Sequence, residues 1–394
     1  MPEGIAPTLD TVLDRTRALL PALADRVAET QTARRIPAAT IRDFQKAGVF
    51  KVNQPKRLGG YEFDYGAQVF VAGEIGRACA SSAWIATVVA SHHWVCGLFP
   101  AEAQDDIWAK DADAIVCSAY AHKSARAVPE RNGYRLSGHW HFASGIDSAD
   151  WVILLALVEQ DSGPPRRTTV LVPRADFEVV DTWRATGLRG TGTNDVVVRD
   201  AFVPGWRELD FPAANSGKAP GRTVNTNPIY GLPMMGVGPF TVVGPVTGVA
   251  ESALDLYVRQ TGGRLGILSD KQLGEHANLQ LRVAEASAEI ECARLLLRSD
   301  LADVNRRARA GGPIPLDAQL RYKRNVAYAA LLCRRAVDRL VMAMGVTGQS
   351  EDNPIQLKFR DLTALASHGV MAWDQNALPF GRHAFGLDTA TPYK

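Results

Sequence analysis

Apolar residues recur along this 394-residue chain with a period that changes twice. Up to about residue 112 they follow helical spacing, over 9–30, 38–47, 65–77, 81–96 and 101–110, with Gly59-Gly60 and Phe99-Pro100 as turn signals. From about 113 to 225 the period falls to two. Tyr134, Leu136, Trp140 and Phe142 alternate with Arg135, Ser137, His139 and His141, which predicts a strand with one apolar face. Segments 151–158, 168–172, 177–180 and 195–203 read as further short strands. Beyond about 235 helical spacing returns. Leu279, Val283, Ala286, Ile290, Ala293 and Leu297 form one seam, and Tyr322, Val326, Ala329, Cys333, Val337, Leu340 and Met344 a second. Gly311-Gly-Pro-Ile-Pro315 breaks the chain between them. The expectation is an α+β chain with an N-terminal helical domain over 1–112, a small antiparallel β domain over 113–232, and a C-terminal helical bundle over 233–394.

Several classes of function are excluded or demoted. Lys+Arg 44 against Asp+Glu 42 gives a net charge of +2, without the basic excess of a nucleic-acid binder. Residues 223–250 carry no charge, but Pro228, Pro233, Pro239 and Pro245 interrupt them, so they read as a buried segment rather than a membrane span. The N-terminus has acids and prolines where a secretory leader needs a basic start and an apolar run. Five widely spaced cysteines give no disulfide framework or metal knuckle, which points to a reducing compartment, the cytoplasm. No phosphate-binding loop, zinc-protease helix, nucleophile elbow or dinucleotide fingerprint occurs. His139 and His141 share a strand face, but the sequence offers no third ligand beside them, and no metal is expected.

Four segments, in order, resemble the acyl-CoA dehydrogenase superfamily. Phe44-Gln-Lys-Ala-Gly48 with Leu58-Gly-Gly-Tyr61 resembles its N-terminal helix and Gly-Gly turn. Gly138-His-Trp-His-Phe-Ala-Ser-Gly145 resembles the strand that lies against the flavin. Gly187-Leu-Arg-Gly-Thr-Gly-Thr-Asn-Asp195 through Val203-Pro204 resembles its central strand pair. Gly345 to Gly348 followed by Pro354-Ile-Gln-Leu-Lys-Phe-Arg-Asp361 resembles its last bundle helix. The resemblance implies that fold, Phe142 beside the isoalloxazine, and Ser144 as the hydroxyl that bonds flavin N5. Strand alternation would put Trp140, Phe142 and Ser144 on one face. Ser118, Arg264 and Gly345 are further implied cofactor contacts.

The dehydrogenase carboxylate is missing. Counted from Arg360-Asp361, an expected ion pair, that position falls on Gly369, beside His368. This loss is similar to that of the two-component, reduced-flavin-dependent monooxygenases. His368 and His92, within Ser91-His-His-Trp94, resemble histidines kept by that branch. The implied activity is an oxygenase that takes FMNH2 or FADH2 from a separate NAD(P)H:flavin reductase and reacts it with O2. Through a flavin C4a-hydroperoxide it would hydroxylate a small aromatic molecule of phenol or indole type. His92, Ser144 and His368 are the expected catalytic residues, one histidine bonding the peroxide and the other the substrate proton. Trp84, His92, Trp94, Phe240, His368 and the 229–247 segment are the expected substrate pocket, and a homotetramer the expected assembly. An acyl-CoA dehydrogenase with its base moved to Glu251, an N- or S-oxygenating enzyme, and a catalytically silent scaffold are the alternatives.

Overall fold

A computed structural model describes residues 7–265 and 270–389; the first six residues, included in the leader reading, lie outside them. Six helices come first: α1 (Leu9–Asp25), α2 (Val27–Ala33), α3 (Ala38–Ala47), α4 (Ala67–Ala78), α5 (Ala80–Cys96) and α6 (Ala101–Trp108). Eight strands follow: β1 (Val116–Ala119), β2 (Ala121–Glu130), β3 (Gly133–Ala143), β4 (Trp151–Val158), β5 (Arg166–Pro173), β6 (Glu178–Val180), β7 (Asn194–Pro204) and β8 (Glu208–Asp210). Two short helices, α7 (Phe211–Asn215) and α8 (Met234–Val237), lead into α9 (Phe240–Thr261), α10 (Ala277–Ala310), α11 (Leu316–Ala343), α12 (Pro354–Ala366) and α13 (Trp373–Ala384).

The sheet runs β6-β7-β3-β2-β4-β5-β8, with β1 also on β4. It is mixed rather than purely antiparallel, because β1 and β2 both pair with β4 in parallel. β1, β2, β8 and α13 have too little periodicity to be read from sequence. Both seams face inward as their spacing predicts: Ala286, Ile290, Ala293 and Leu297 on α10, and Tyr322, Val326, Ala329, Cys333, Val337 and Leu340 on α11, are buried. No helix among the described residues is long and apolar enough to cross a membrane.

Backbone contact joins the N-terminal helices to the bundle. A Cβ on Gly248 of α9 would lie 1.8 Å from the Gly73 carbonyl oxygen of α4, and one on Gly76 would lie 2.8 Å from that of Pro245. Gly244 meets Val69 in the same way, at 2.9 Å. The uncharged stretch is thus a run of turns and the short α8 leading into the first half of α9, which packs on α4 so closely that only glycine fits at these crossing points. Gly248→Ala should destabilise the fold by about 1–3 kcal/mol through overpacking, measured by urea unfolding; wild-type stability would refute this contact.

Candidate functional site

The last residues of β3 depart from strand geometry. Pairing with β7 shifts between Trp140 and Ala143, and Phe142 sits at φ 66°, a left-handed conformation uncommon for a bulky residue. Trp140, Phe142 and Ser144 therefore do not share a face. Trp140 is fully buried, its indole N–H donating to the Leu155 carbonyl at 2.8 Å. Phe142 is 62% exposed, with its ring 6.4 Å from that of Trp183. Trp140, expected with Phe142 as a cofactor contact, is a core residue in this structure, whereas the Phe142 ring is open to solvent beside Trp183 and His141.

Ser144 is held in a chain of hydroxyls whose direction follows from proton counting. Thr191 Oγ1 donates its one proton to the Leu188 carbonyl at 2.9 Å. It must then accept from Thr193 Oγ1, 2.6 Å away, and Thr193 in turn must accept from Ser144 Oγ at 2.9 Å. The Trp84 indole N–H donates to Ser144 Oγ at 2.9 Å. Ser144 has thus spent its proton and one lone pair, and its remaining lone pair can only accept. The chain ends on an anchored residue, since the Leu188 N–H, in the preceding peptide, donates to the buried Asp361 carboxyl at 2.7 Å. Asp361 is not paired with Arg360 as expected. Burial pushes its carboxyl up to about 6, against the opposing pull of the Leu188 N–H and the nearby Lys358.

One histidine meets the Trp84 end of this chain, and a second lies two turns further along α5. The His368 ring lies 5.3 Å from the Trp84 ring, edge on, and His368 Nδ1 accepts from the Val370 N–H at 3.3 Å. In the neutral ring Nε2 therefore carries the proton. His368 is exposed, yet the protein around it removes enough water to lower its pKa. Every α5 residue except His92 is buried. His92 Nδ1–H donates to the Val116 carbonyl at 3.2 Å, which leaves Nε2 to accept from Ser118 Oγ at 2.9 Å. Desolvation brings its pKa down to about 4, so the ring is neutral near pH 7. His93, by contrast, is a core residue bonded to the Phe50 carbonyl at 3.0 Å and packed on Trp108, with its pKa lowered to about 3 by burial.

Other expected residues lie elsewhere. Trp94 is buried against Tyr65 and donates to the Ile229 carbonyl; Phe240 is buried against Tyr322. Both are sealed in the core of this structure, as is much of the 229–247 segment. Arg264 is exposed and donates to Thr347 Oγ1 at 3.3 Å, which brings it to the turn that begins at Gly345. The two expected cofactor residues are thus near one turn, and no hydrogen bond joins either to the Ser144 chain.

Residues 9–110 match the acyl-CoA dehydrogenase N-terminal domain and residues 240–373 its C-terminal domain. The oxygenase subunit HsaA of a flavin-dependent monooxygenase from Rhodococcus jostii is 34% identical over 95% of this chain and 98% of its own. The oxygenase component of FADH2-dependent resorcinol hydroxylase from a Rhizobium species is 35% identical over 93% of this chain and 91% of its own. The crystal structure of the HsaA monooxygenase from M. tuberculosis superposes with a TM-score of 0.92 at 31% identity, over 98% of this chain and 99% of that one. The chain belongs to the flavin-dependent monooxygenase branch of the acyl-CoA dehydrogenase superfamily.

Within this family the fate of the dehydrogenase base becomes clear. Gly369 offers no carboxylate, and Glu251 is held by Arg77 at 2.9 Å and Arg294 at 3.0 Å. Those ion pairs lie in a separate cleft with Arg17 and Glu74. Thr191, Thr193 and the Asp361 anchor were not singled out from sequence. The signal lay in the glycines around the threonines: a Cβ on Gly187 would lie 2.1 Å from the Arg360 carbonyl oxygen, and one on Gly190 2.1 Å from Thr30 Cγ2.

His92 binds fewer protons in the folded chain than an unfolded histidine does between about pH 6.5 and pH 4. Its contribution to stability is therefore present above about 6.5 and lost as pH falls towards 4. Nitrogen-15 NMR should find its ring neutral at pH 5.5 and protonated on Nδ1. A cationic ring at that pH would refute the assignment.

Proposed function

We propose that this chain is the oxygenase component of a two-component monooxygenase, using reduced flavin and O2 to hydroxylate a small aromatic molecule. The acceptor-only Ser144 oxygen carries the reading. Reduced flavin presents N5–H, a donor, whereas oxidised flavin presents N5 as an acceptor. An oxygen that has already donated its proton welcomes the first and opposes the second. The isoalloxazine is common to FMN and FAD, so this contact serves either. As an oxygenase component, the chain receives its reduced flavin from a separate reductase.

When bound, the reduced flavin activates O2 and supplies one oxygen atom to the ring. The residues of this chain hold, orient and exclude. Phe142 stands at the rim as an aromatic surface for the isoalloxazine. Trp84 fixes Ser144 from one side and Thr193 from the other. His368 offers an Nε2–H donor on the far side of Trp84. Ser118, whose proton is directed to His92, keeps lone pairs that can accept from the O–H of a phenol or the N–H of an indole, which favours such substrates over thioethers. Two neutral imidazoles add no charge to a pocket that must keep water out. We also place the chain in the cytoplasm, as its five free cysteines suggest. We assign it a homotetramer, for which the exposed Leu281 and Leu295 on the outer face of α10 offer a packing surface. The helical, β and bundle domains divide at residues 112 and 232 in this reading.

Binding of reduced and oxidised flavin, followed by product analysis with O2 and a panel of phenols and indoles, tests this reading. Reduced flavin should bind more tightly, and labelled O2 should appear in a hydroxylated product. Equal affinity for both forms with all oxygen released as H2O2 would overturn it. Ser144→Ala should shift most turnover to H2O2. Thr193→Val, which frees the Ser144 proton, should cut the preference for reduced flavin by about tenfold, the effect of roughly 1.4 kcal/mol. An unchanged preference would show that the hydroxyl chain does not set it.

A further inference from the structure

The two histidines that seemed to lack a third ligand have one. β7 carries Asp195 to their side of the sheet, and one side-chain ligand atom from each of the three residues lies within 4.8 Å of the others. Asp195 Oδ2 accepts from His139 Nε2 at 2.7 Å and from His141 Nδ1 at 2.8 Å. Its other oxygen accepts from Thr182 Oγ1 at 2.9 Å, which fixes the plane of the carboxylate. Asp195 is nearly buried, while each imidazole is about a third exposed, at 32% and 34%. Two imidazoles and a hydroxyl thus converge on one nearly buried carboxylate, and two ring nitrogens on adjacent positions of one strand face point at the same oxygen.

We propose that His139, His141 and Asp195 bind a first-row divalent transition-metal ion, with zinc as the probe. Two imidazole nitrogens and one carboxylate oxygen are a borderline donor set that such ions prefer and that Mg2+ and Ca2+ do not. Bonds of about 2.0–2.2 Å at tetrahedral angles need ligand atoms about 3.3–3.6 Å apart, so each N···O separation would widen by about 0.5–0.9 Å, within the 4.8 Å over which the three ligand atoms already lie. Thr182 would hold the carboxylate as an outer-shell partner. His139 borders a shallow depression with Ser124, Ser137, Val197 and Arg199, which gives an ion a path from solvent and leaves room for a water as fourth ligand. The site lies on β3 and β7, which Ser144 follows and Thr193 precedes, but it uses none of the groups assigned to the flavin, so it stands or falls separately from the proposed function.

The test is a zinc titration of tag-free, EDTA-dialysed protein, with bound metal counted by mass spectrometry and Co2+ substitution read by its visible spectrum. The expected result is one ion per chain and a Co2+ spectrum of nitrogen and oxygen ligation. His139→Ala and His141→Ala should each weaken binding by more than tenfold. Thr182→Val, which leaves the ligands in place, should weaken it about tenfold. Cys292→Ser, which alters an exposed thiol, should leave it unchanged. Matching thermal melts of the metal-free proteins exclude misfolding as the cause. Substoichiometric zinc in the wild type, or full binding that survives both histidine changes, would overturn the proposal.

Discussion

Helix α12 is the fastener of this molecule, and its hold is polar. Asp361 reaches out of the bundle to take the Leu188 amide of the segment that precedes β7. One turn earlier, Lys358 donates to the Arg77 and Ala78 carbonyls at 3.1 and 3.0 Å, closing the C-terminal end of α4. A single helix therefore ties the N-terminal helices, the sheet and the bundle together through buried charges. Such groups are costly to bury, which is why each must meet a partner in one geometry only. The Ser144 chain inherits that geometry, because its last acceptor is the carbonyl of the residue whose amide Asp361 holds.

The order of the blocks, the two seams and the family were legible because they rest on period and on segments of fixed composition. The pocket was legible only in part. Alternation put Trp140 and Phe142 on one face, and a single left-handed residue at Phe142 reversed that. Period cannot signal such a residue when it is not glycine. Trp94 and Phe240 were read as pocket residues because they are aromatic and near the right segments; their depth depends on how α5 and α9 pack, which spacing along one helix does not fix. His92 and His93 are neighbours in sequence but about 100° apart around the helix, so one faces Ser118 and the other Phe50 and Trp108.

Partners distant in sequence were the least visible. Asp195 completes the pair of histidines from another strand, and Thr193 completes Ser144 from the same strand region, each through register rather than motif. The glycines of 187–192 announced a close approach but not what they approached. Here the sequence marks where backbone must come near, and the fold decides which hydroxyl or carboxylate profits.

The crossing of α4 and α9 has a consequence for how such a chain can vary. Side-chain interfaces drift as residues change size, and helices shift to follow. Where Gly248 meets the Gly73 carbonyl there is no side chain to change, so the two backbones keep one spacing whatever happens on their outer faces. Trp84 and His92 ride on α5, packed against this pair. The outer surfaces can diverge to suit new partners while the distances inside the pocket stay as they are.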